Sequence, residues 1–392
     1  MQELLFLGLF MLALGVGWFL GRREAIKVRF MLEPHGSALD RQYFIGLNYL
    51  LNEQPDEAIE TFIRALEVNP ETVETHIAIG KLFCQRGDVE RAIKVHQNLL
   101  ARPNLTREQA DRVQLELARD YLVVGMLNRS ERLLEELVEA GSPLRGEALA
   151  DLVRVHEREH DWDRAVDMGG RLMRERPEFA VTLAHYYCEQ AATLIKQSEL
   201  PQANKRLLQA LEVDDNCSRA VLMLAELALD MVRQGDAVRW LRRLAERDAE
   251  FVPQALPLVR RCADNGALDM LAYLDKVLAD HPQPQVAVVL ARADQMKGQV
   301  RLSEVSHFVL EHIQRQPSLL GLLYLIDLHL GHAETKGRDN LLILRAIVEA
   351  LVVDKPPYRC SACGFLAKRL HWQCPTCHGW STIRPLKGRE AA

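Results

Sequence analysis

Hydrophobic positions along the chain form three patterns, and the first is an unbroken apolar run at the N-terminus. Residues 4–20 contain no charged side chain. As a helix, residues 2–21 would extend about 30 Å, which matches the hydrocarbon core of a bilayer. No later apolar run has the length of a span, so we predict that the chain crosses a membrane once.

The charges that flank this run predict its orientation. Glu3 precedes it, and Arg22 and Arg23 follow it. A cleaved signal peptide carries positive charge before the apolar run, and positively charged flanks stay in the cytoplasm. We therefore predict a transmembrane anchor at residues 1–21 and a juxtamembrane linker at residues 22–38, with the rest of the chain on the cytoplasmic side.

The second pattern begins near residue 39, where apolar residues recur at helical spacing and small residues recur every 34 positions. Small residues let two helices cross closely, and larger side chains fill the groove between them. The first copy has the markers Ile45, Gly46, Tyr49, Ala58, Phe62, Ala65 and Pro70, and the second has Ile79, Gly80, Phe83, Gly87, Ala92, Leu99 and Pro103. Both copies resemble the tetratricopeptide repeat.

Later copies keep this pattern with drift. Their markers are Leu117, Ala118, Tyr121 and Gly125, then Leu152, Trp162, Ala165 and Pro177, then Ala191, Ala203, Leu207 and Ala210, then Leu227, Ala228 and Gly235, then Leu258, Gly266 and Pro282, and finally Leu290, Ala291, Gly298 and Pro317. Residues 318–353 are predicted to be helical without a clear repeat. We therefore predict an all-α superhelix over residues 39–353, whose concave surface binds segments of other proteins.

The third pattern follows two consecutive prolines, which end the helical region. Two Cys-x-x-Cys knuckles lie beyond them, formed by Cys360 with Cys363 and by Cys374 with Cys377. A two-residue gap lets both thiolates of a knuckle reach one ion, and two knuckles complete a tetrahedral site. We predict a metal ribbon at residues 354–392 that binds one iron or zinc ion, since four thiolates accept either metal.

A pair of disulfides and a thioredoxin-like redox pair are the competing interpretations of these knuckles, but no βαβ pattern flanks them. Phe365, Trp372 and Trp380 are expected to wrap the site in apolar surface. His378, next to Cys377, is a candidate substitute ligand that four cysteines make unnecessary. The other four cysteines are expected to be lone buried thiols, and they are Cys84, Cys188, Cys217 and Cys262.

Composition and charge narrow the function. The net charge of −5 over 392 residues argues against a general nucleic-acid binder, although residues 355–392 carry a local excess of positive charge. That excess fits either a solvated surface or contact with anionic lipid or an acidic partner.

No phosphate-binding loop or nucleophile elbow occurs, so we predict no enzyme activity. His156 and His160 lie one helical turn apart and could ligate a metal, as could His307 and His312 less well, but no third ligand is evident and all four are expected to be solvated or core residues.

Anchor, repeats and ribbon, in this order, resemble the lipopolysaccharide assembly protein B family of Gram-negative bacteria. The most specific motifs are Gly21-Arg22-Arg23, the ribbon stretch that begins at Trp372, and the sequence Trp380-Ser-Thr-Ile. The resemblance implies a rubredoxin-like ribbon that binds iron or zinc, although the gap between the knuckles is shorter than in rubredoxin proper.

The same resemblance implies a location at the cell inner membrane and a role in regulating lipopolysaccharide synthesis. The implied partners are an FtsH-type membrane protease, the deacetylase that commits carbon to lipid A, and other lipopolysaccharide synthesis or transport proteins. An adaptor that presents a substrate to the protease explains all three modules. A rubredoxin-like electron-transfer protein and a nucleic-acid-binding ribbon are the alternatives; the first predicts a redox-active iron, and the second predicts binding that weakens steeply with salt.

Overall fold

A computed structural model describes residues 45–46, 48–49, 54, 57–62 and 73–386. The last of these ranges forms helices α1 (Val73–Gln85), α2 (Val89–Leu100), α3 (Arg107–Val123), α4 (Leu127–Glu139), α5 (Arg145–Glu159), α6 (Trp162–Glu175), α7 (Ala180–Lys196), α8 (Leu200–Val213), α9 (Ser218–Asp230), α10 (Gln234–Arg247), α11 (Val252–Asp264), α12 (Met270–Asp280), α13 (Val286–Met296), α14 (Leu302–Arg315), α15 (Leu319–Leu330) and α16 (Thr335–Asp354). Strands β1 (Tyr358–Cys360), β2 (Leu366–Ala367) and β3 (Ile383–Pro385) follow them. The predicted class, mostly helical repeats with a small strand ribbon, is confirmed.

The chain divides into two compact units, residues 1–155 and 156–392. In the first unit, small residues lie where the repeat pattern predicts close crossings. Gly46 contacts the ring of Phe62, and Gly80 contacts the ring of His96. A Cβ atom at either glycine would overlap the ring, so these positions require glycine.

The second unit has one continuous apolar core that extends from α7 to α13. It contains the alanines that mark the repeats, including Ala191, Ala203, Ala210 and Ala228. Each helix of a hairpin covers one face of its neighbour, which is why the core grows by addition of hairpins. Helices α15 and α16 form a further hairpin, although their sequence shows no clear repeat.

Seven of the described hairpins, from α1–α2 to α13–α14, place one turn residue in the left-handed region of the backbone. These residues are Gly87, Gly125, His160, Ser198, Val232, Gly266 and Gly298. At six of the seven turns the next amide donates a hydrogen bond to a carbonyl five residues earlier, as Arg233 N does to Ala228 O at 2.7 Å. This 6→1 bond closes the helix end. The turn geometry therefore recurs even where glycine does not.

One marker residue has a different place from the one that the sequence indicated. Gly235 is the predicted marker of the sixth copy, but it lies inside α10, and the turn is made by Val232. Glycine is not required there because the turn is open, and Val232 is 79 % exposed.

The predicted anchor lies outside the described residues. Among the residues that the structure describes, no helix combines the length and apolar character needed to cross a bilayer.

The turn geometry generates a stability prediction. A left-handed conformation costs a β-branched residue about 1–2 kcal/mol, whereas glycine adopts it freely. We expect Val232→Gly to raise the melting temperature of the second unit by about 2–4 °C. Gly266→Val is the matched control, because a side chain at Gly266 meets no atom within 4 Å, and we expect it to lower the temperature. An unchanged pair of melting temperatures in thermal circular dichroism would contradict this reasoning.

Candidate metal centre

The C-terminal ribbon is a three-stranded sheet in the order β2-β1-β3, with both pairings antiparallel. Its registers pair Arg359 with Leu366 in β2 and Cys360 with Ile383 in β3. Strand β1 therefore holds the first cysteine in the middle of the sheet, and Ile383 packs beside it in a small core.

The two knuckles share one backbone geometry. Cys360 N donates to Phe365 O at 2.8 Å, and Gly364 N donates to Cys360 O at 3.0 Å. The second knuckle repeats both bonds fourteen residues later, with His378 in the place of Gly364. Both of these residues are left-handed, with φ of 78° and 57°. His378 is thus the turn residue of its knuckle, and it is not part of the cluster of possible metal ligands.

The four thiols converge on one point. Their sulfur atoms all lie within 4.8 Å of one another, and Cys360–Cys377 and Cys363–Cys374 are each 3.7 Å apart. A tetrahedral ion with metal–sulfur bonds of about 2.3 Å separates its sulfurs by about 3.8 Å. All four cysteines are free, not disulfide-bonded. The donor set therefore fits a single tetrathiolate ion, and the geometry does not distinguish iron from zinc.

Electrostatics within the cluster favour a bound cation. Burial raises the pKa of Cys360, but hydrogen bonds with Thr382 and with the amides of Cys363 and Ala362 outweigh it and lower the pKa to about 6. The amide of Phe365 lowers the pKa of Cys363, yet hydrogen bonds with the other three thiols help to raise it to about 12. Cys360 thus favours the thiolate form and Cys363 resists it, and a bound metal cation would remove the resistance of Cys363.

Two tryptophans of the ribbon pack against the helices of the second unit. Trp380 stacks on His185 with ring centroids 5.1 Å apart, and it meets Tyr186 edge-on at 5.8 Å. Trp372 stacks on Phe251 at 5.3 Å. The expectation that both tryptophans wrap the metal site was therefore wrong, since the small core around the thiols contains Phe365 but neither tryptophan. The ribbon is too small to bury the two indoles, so they pack against the helices of the repeats.

Polar contacts surround this aromatic contact. Gln373 of the ribbon and Tyr186 of α7 both donate to the carboxylate of Glu157 in α5. At the other side of the ribbon, Gln254 Nε2 donates to Tyr358 Oη at 3.0 Å.

Arg384 adds an ion pair at the same side. Its Nη1 lies 3.0 Å from Asp248 Oδ2, and its guanidinium lies over the ring of Phe251. Asp248 also accepts a hydrogen bond of 2.6 Å from Ser218 Oγ. Part of the basic excess of the ribbon is therefore paired with the repeats.

The other candidate residues are structural. His156 is a core residue and His312 is half-buried, and the four knuckle cysteines are the only metal-binding cluster found in the described residues. Cys188, Cys217 and Cys262 are buried free thiols. Cys188 and Cys217 are not lone thiols, however, since their side chains hydrogen-bond to each other, and Cys84 is half-buried.

Sequence reasoning missed the residues of the repeat array that receive the ribbon, namely Glu157, His185, Tyr186, Asp248, Phe251 and Gln254. A partial signal existed, because Trp162, His185 and Tyr186 place large rings where the repeat pattern has smaller residues. Trp162 lies 6.4 Å from Trp380. The partner of these rings cannot be read from the sequence, since it lies about 200 residues away.

The fold and the thiol cluster define a helical-repeat protein with a rubredoxin-like metal-binding domain. The profile of the rubredoxin metal binding domain matches residues 358–385, and that of the tetratricopeptide repeat matches residues 45–103 and 188–255. The chain is 32 % identical over 394 residues to lipopolysaccharide assembly protein B of Escherichia coli strain K12, and 31 % identical over 405 residues to the protein of that name in Haemophilus influenzae, with 100 % of both chains covered in each case. The chain belongs to the lipopolysaccharide assembly protein B family.

Solved structures give a more distant likeness. The crystal structure of MamA protein matches with 18 % sequence identity and a TM-score of 0.37. The match covers 45 % of this chain and 92 % of the MamA chain.

The thiol geometry generates a prediction about metal retention. We expect Cys374→Ser to lower the bound metal by ~10-fold or more, because a structural site needs all four ligands. The near-ultraviolet circular dichroism of Trp372 and Trp380 should be lost with the metal, whereas the helical signal should persist. His378→Gly is the matched control, since glycine suits the left-handed turn and no ligand is removed. Full metal content in Cys374→Ser would refute the assignment.

His185 generates a prediction about pH. Burial, with Arg219 and Arg384 nearby, lowers the pKa of His185 to about 3. In the unfolded chain the pKa of His185 is about 6.5. Between pH 3 and pH 6.5 the unfolded chain therefore binds this proton more readily than the folded chain. The stability from neutral His185 is therefore complete above pH ~6.5 and falls as the pH falls towards 3. We expect the free energy of unfolding to fall by ~2 kcal/mol between pH 7.5 and 5. His185→Phe keeps the stacking and should not show this loss. Equal acid sensitivity of both proteins in urea unfolding would contradict it.

Proposed function

We propose that this chain is a non-enzymatic adaptor in lipopolysaccharide assembly. The observation that carries the proposal is the similarity over the full length of both curated relatives, which are named for that process. Repeats of this class supply extended binding surfaces for other proteins, and the proposal assigns the repeats of this chain the same task.

The first unit offers a groove for a partner segment. A cavity of about 680 Å³ is lined by α1, α3 and the start of α5. Arg119 lines it, with Glu116, Glu147 and Asp151 as carboxylate partners at 2.7–2.9 Å. Lys81 pairs with Glu116 at 3.0 Å. A groove with both signs of charge favours a polar peptide segment that carries acidic and basic residues in matching places.

In this proposal Cys360, Cys363, Cys374 and Cys377 ligate one iron or zinc ion with a structural role. The ion holds the two knuckles together, and the knuckles hold Trp372, Gln373 and Trp380 against the repeats. The support is the packing of those side chains on α5, α7 and the segment that leads into α11.

The finer part of the proposal concerns location and partners. We assign residues 1–21 to an inner-membrane anchor, 22–38 to a linker, 39–353 to the repeats and 354–392 to the ribbon, with the repeats and ribbon on the cytoplasmic side. The partners are an FtsH-type membrane protease, the lipid A deacetylase whose degradation it promotes, and other lipopolysaccharide synthesis or transport proteins. The apolar run, its charged flanks and the family resemblance support this assignment.

The test compares three forms of the chain at native abundance in cells that lack the endogenous copy. We expect deletion of residues 1–21 to lengthen the half-life of the deacetylase, because tethering raises the effective concentration of protease and adaptor by ~100-fold or more. An unrelated transmembrane anchor fused at residue 22 is the matched control, and restoration of the half-life by it shows that tethering suffices. An unchanged half-life in the untethered form would overturn the anchored-adaptor proposal.

A further inference from the structure

Two of the buried thiols in the second unit lie against each other. Cys188 is on α7, and Cys217 is the N-cap residue of α9. Both belong to the continuous apolar core, with exposed fractions of 0 % and 3 %, and their side chains hydrogen-bond to each other. The contact therefore joins two helices through a pair of sulfur atoms that can also be joined by a disulfide bond.

The two thiols differ in acidity. The hydrogen bond with Cys188 lowers the pKa of Cys217, and together with the nearby amide of Ala220 it outweighs the effect of burial. Burial raises the pKa of Cys188 well above its ordinary value, and the hydrogen bond with Cys217 acts in the same direction. Because the thiolate is the nucleophilic form of cysteine, Cys217 is the first of the pair to attack an oxidant.

Cys217 is also the thiol that a small oxidant reaches first. It follows Asp215 and Asn216, which are exposed in the loop between α8 and α9, whereas Cys188 lies in the middle of α7. Loops open locally more often than packed helices do, so a molecule as small as hydrogen peroxide can reach the sulfur of Cys217. Acidity and access therefore assign the same role to this thiol.

We propose that Cys217 and Cys188 form a peroxide-sensitive oxidation site that closes reversibly into a disulfide. The Cys217 thiolate attacks one oxygen of hydrogen peroxide and the O–O bond breaks; the hydroxide that leaves takes up the proton released by the Cys217 thiol. The sulfur of Cys188 then displaces the hydroxyl group of the Cys217 sulfenic acid, which leaves as water with the Cys188 proton. The two thiols lose two electrons to one peroxide, and a dithiol reductant restores them by exchange.

The disulfide connects to the layer that receives the ribbon. Glu189 follows Cys188 directly, and Arg219 is two residues beyond Cys217. Arg219 pairs with Glu189 at 2.8 Å and lies over the ring of Trp380 at 6.0 Å. A covalent link between the two cysteines therefore holds α7 and α9 together beneath Trp380. Because it also restricts the unfolded chain, we expect the oxidised form to melt ~5 °C or more above the reduced form.

The test treats the purified full-length chain, loaded with zinc, with hydrogen peroxide and then alkylates the remaining thiols. Mass spectrometry of a digest should show a linked pair of peptides that contain Cys188 and Cys217, at unchanged metal content, and a dithiol should abolish the link. Cys262 is the matched control, because it is a buried free thiol of the same core and burial raises its pKa. A link that forms only in unfolded or metal-depleted protein, or oxidation of Cys262 to the same extent as Cys217, would overturn the proposal.

Two substitutions test the order of the steps. In Cys188→Ala no second thiol resolves the sulfenic acid at Cys217, so a cyclic diketone that captures sulfenic acids should label residue 217. In Cys217→Ala the same reagent should label residue 188 at least ~10-fold less, since the Cys188 thiol stays protonated. Unchanged metal content and helical signal verify that both variants fold, and neither should show the rise in melting temperature after peroxide. Equal labelling of the two variants, or stronger labelling of Cys188, would overturn the proposed site.

Discussion

The contact of Trp372 and Trp380 with the helices is the interaction on which the second unit depends. The ribbon buries little of its own, since its small core is built on Cys360, Cys374 and Ile383. Fewer than about 40 residues rarely form a stable core without a metal or a partner surface. The indoles, which can each bury 150–250 Å², supply that burial by packing on His185, Tyr186 and Phe251.

This contact links the metal centre to the repeats. A ligand that binds only the folded ribbon stabilises the docked state, and a metal ion held by the four thiolates is such a ligand. Glu157, His185 and Gln254 lie on different helices, and the ribbon contacts all three regions of the surface. Loss of the ion would therefore loosen the packing between elements almost one hundred residues apart in sequence.

The sequence predicts what is local. Knuckle spacing identifies the four thiols, and small residues such as Gly80 and Ala92 identify close helix crossings. It does not predict left-handed turns at Ser198 and Val232, because the 6→1 hydrogen bond stabilises the turn whichever side chain is present. It also does not predict where the tryptophans pack, since that depends on contacts between residues far apart in the chain. The repeat pattern did not identify the hairpin of α15 and α16, because the outward face of α16 is apolar and lacks the usual polar side chains.

The polar contacts at the ribbon determine orientation more than affinity. Aromatic packing tolerates rotation, but Gln373 must reach Glu157 while Arg384 reaches Asp248. Partial burial makes it costly to leave either carboxylate without its partner, so alternative orientations of the ribbon lose both bonds. In the observed orientation Cys360 and Cys374 are buried, whereas Cys363 and Cys377 face solvent. One edge of the thiol cluster is thus sealed within the ribbon and the other is open to solvent, and this asymmetry follows from the small core that the ribbon builds around Cys360 and Cys374.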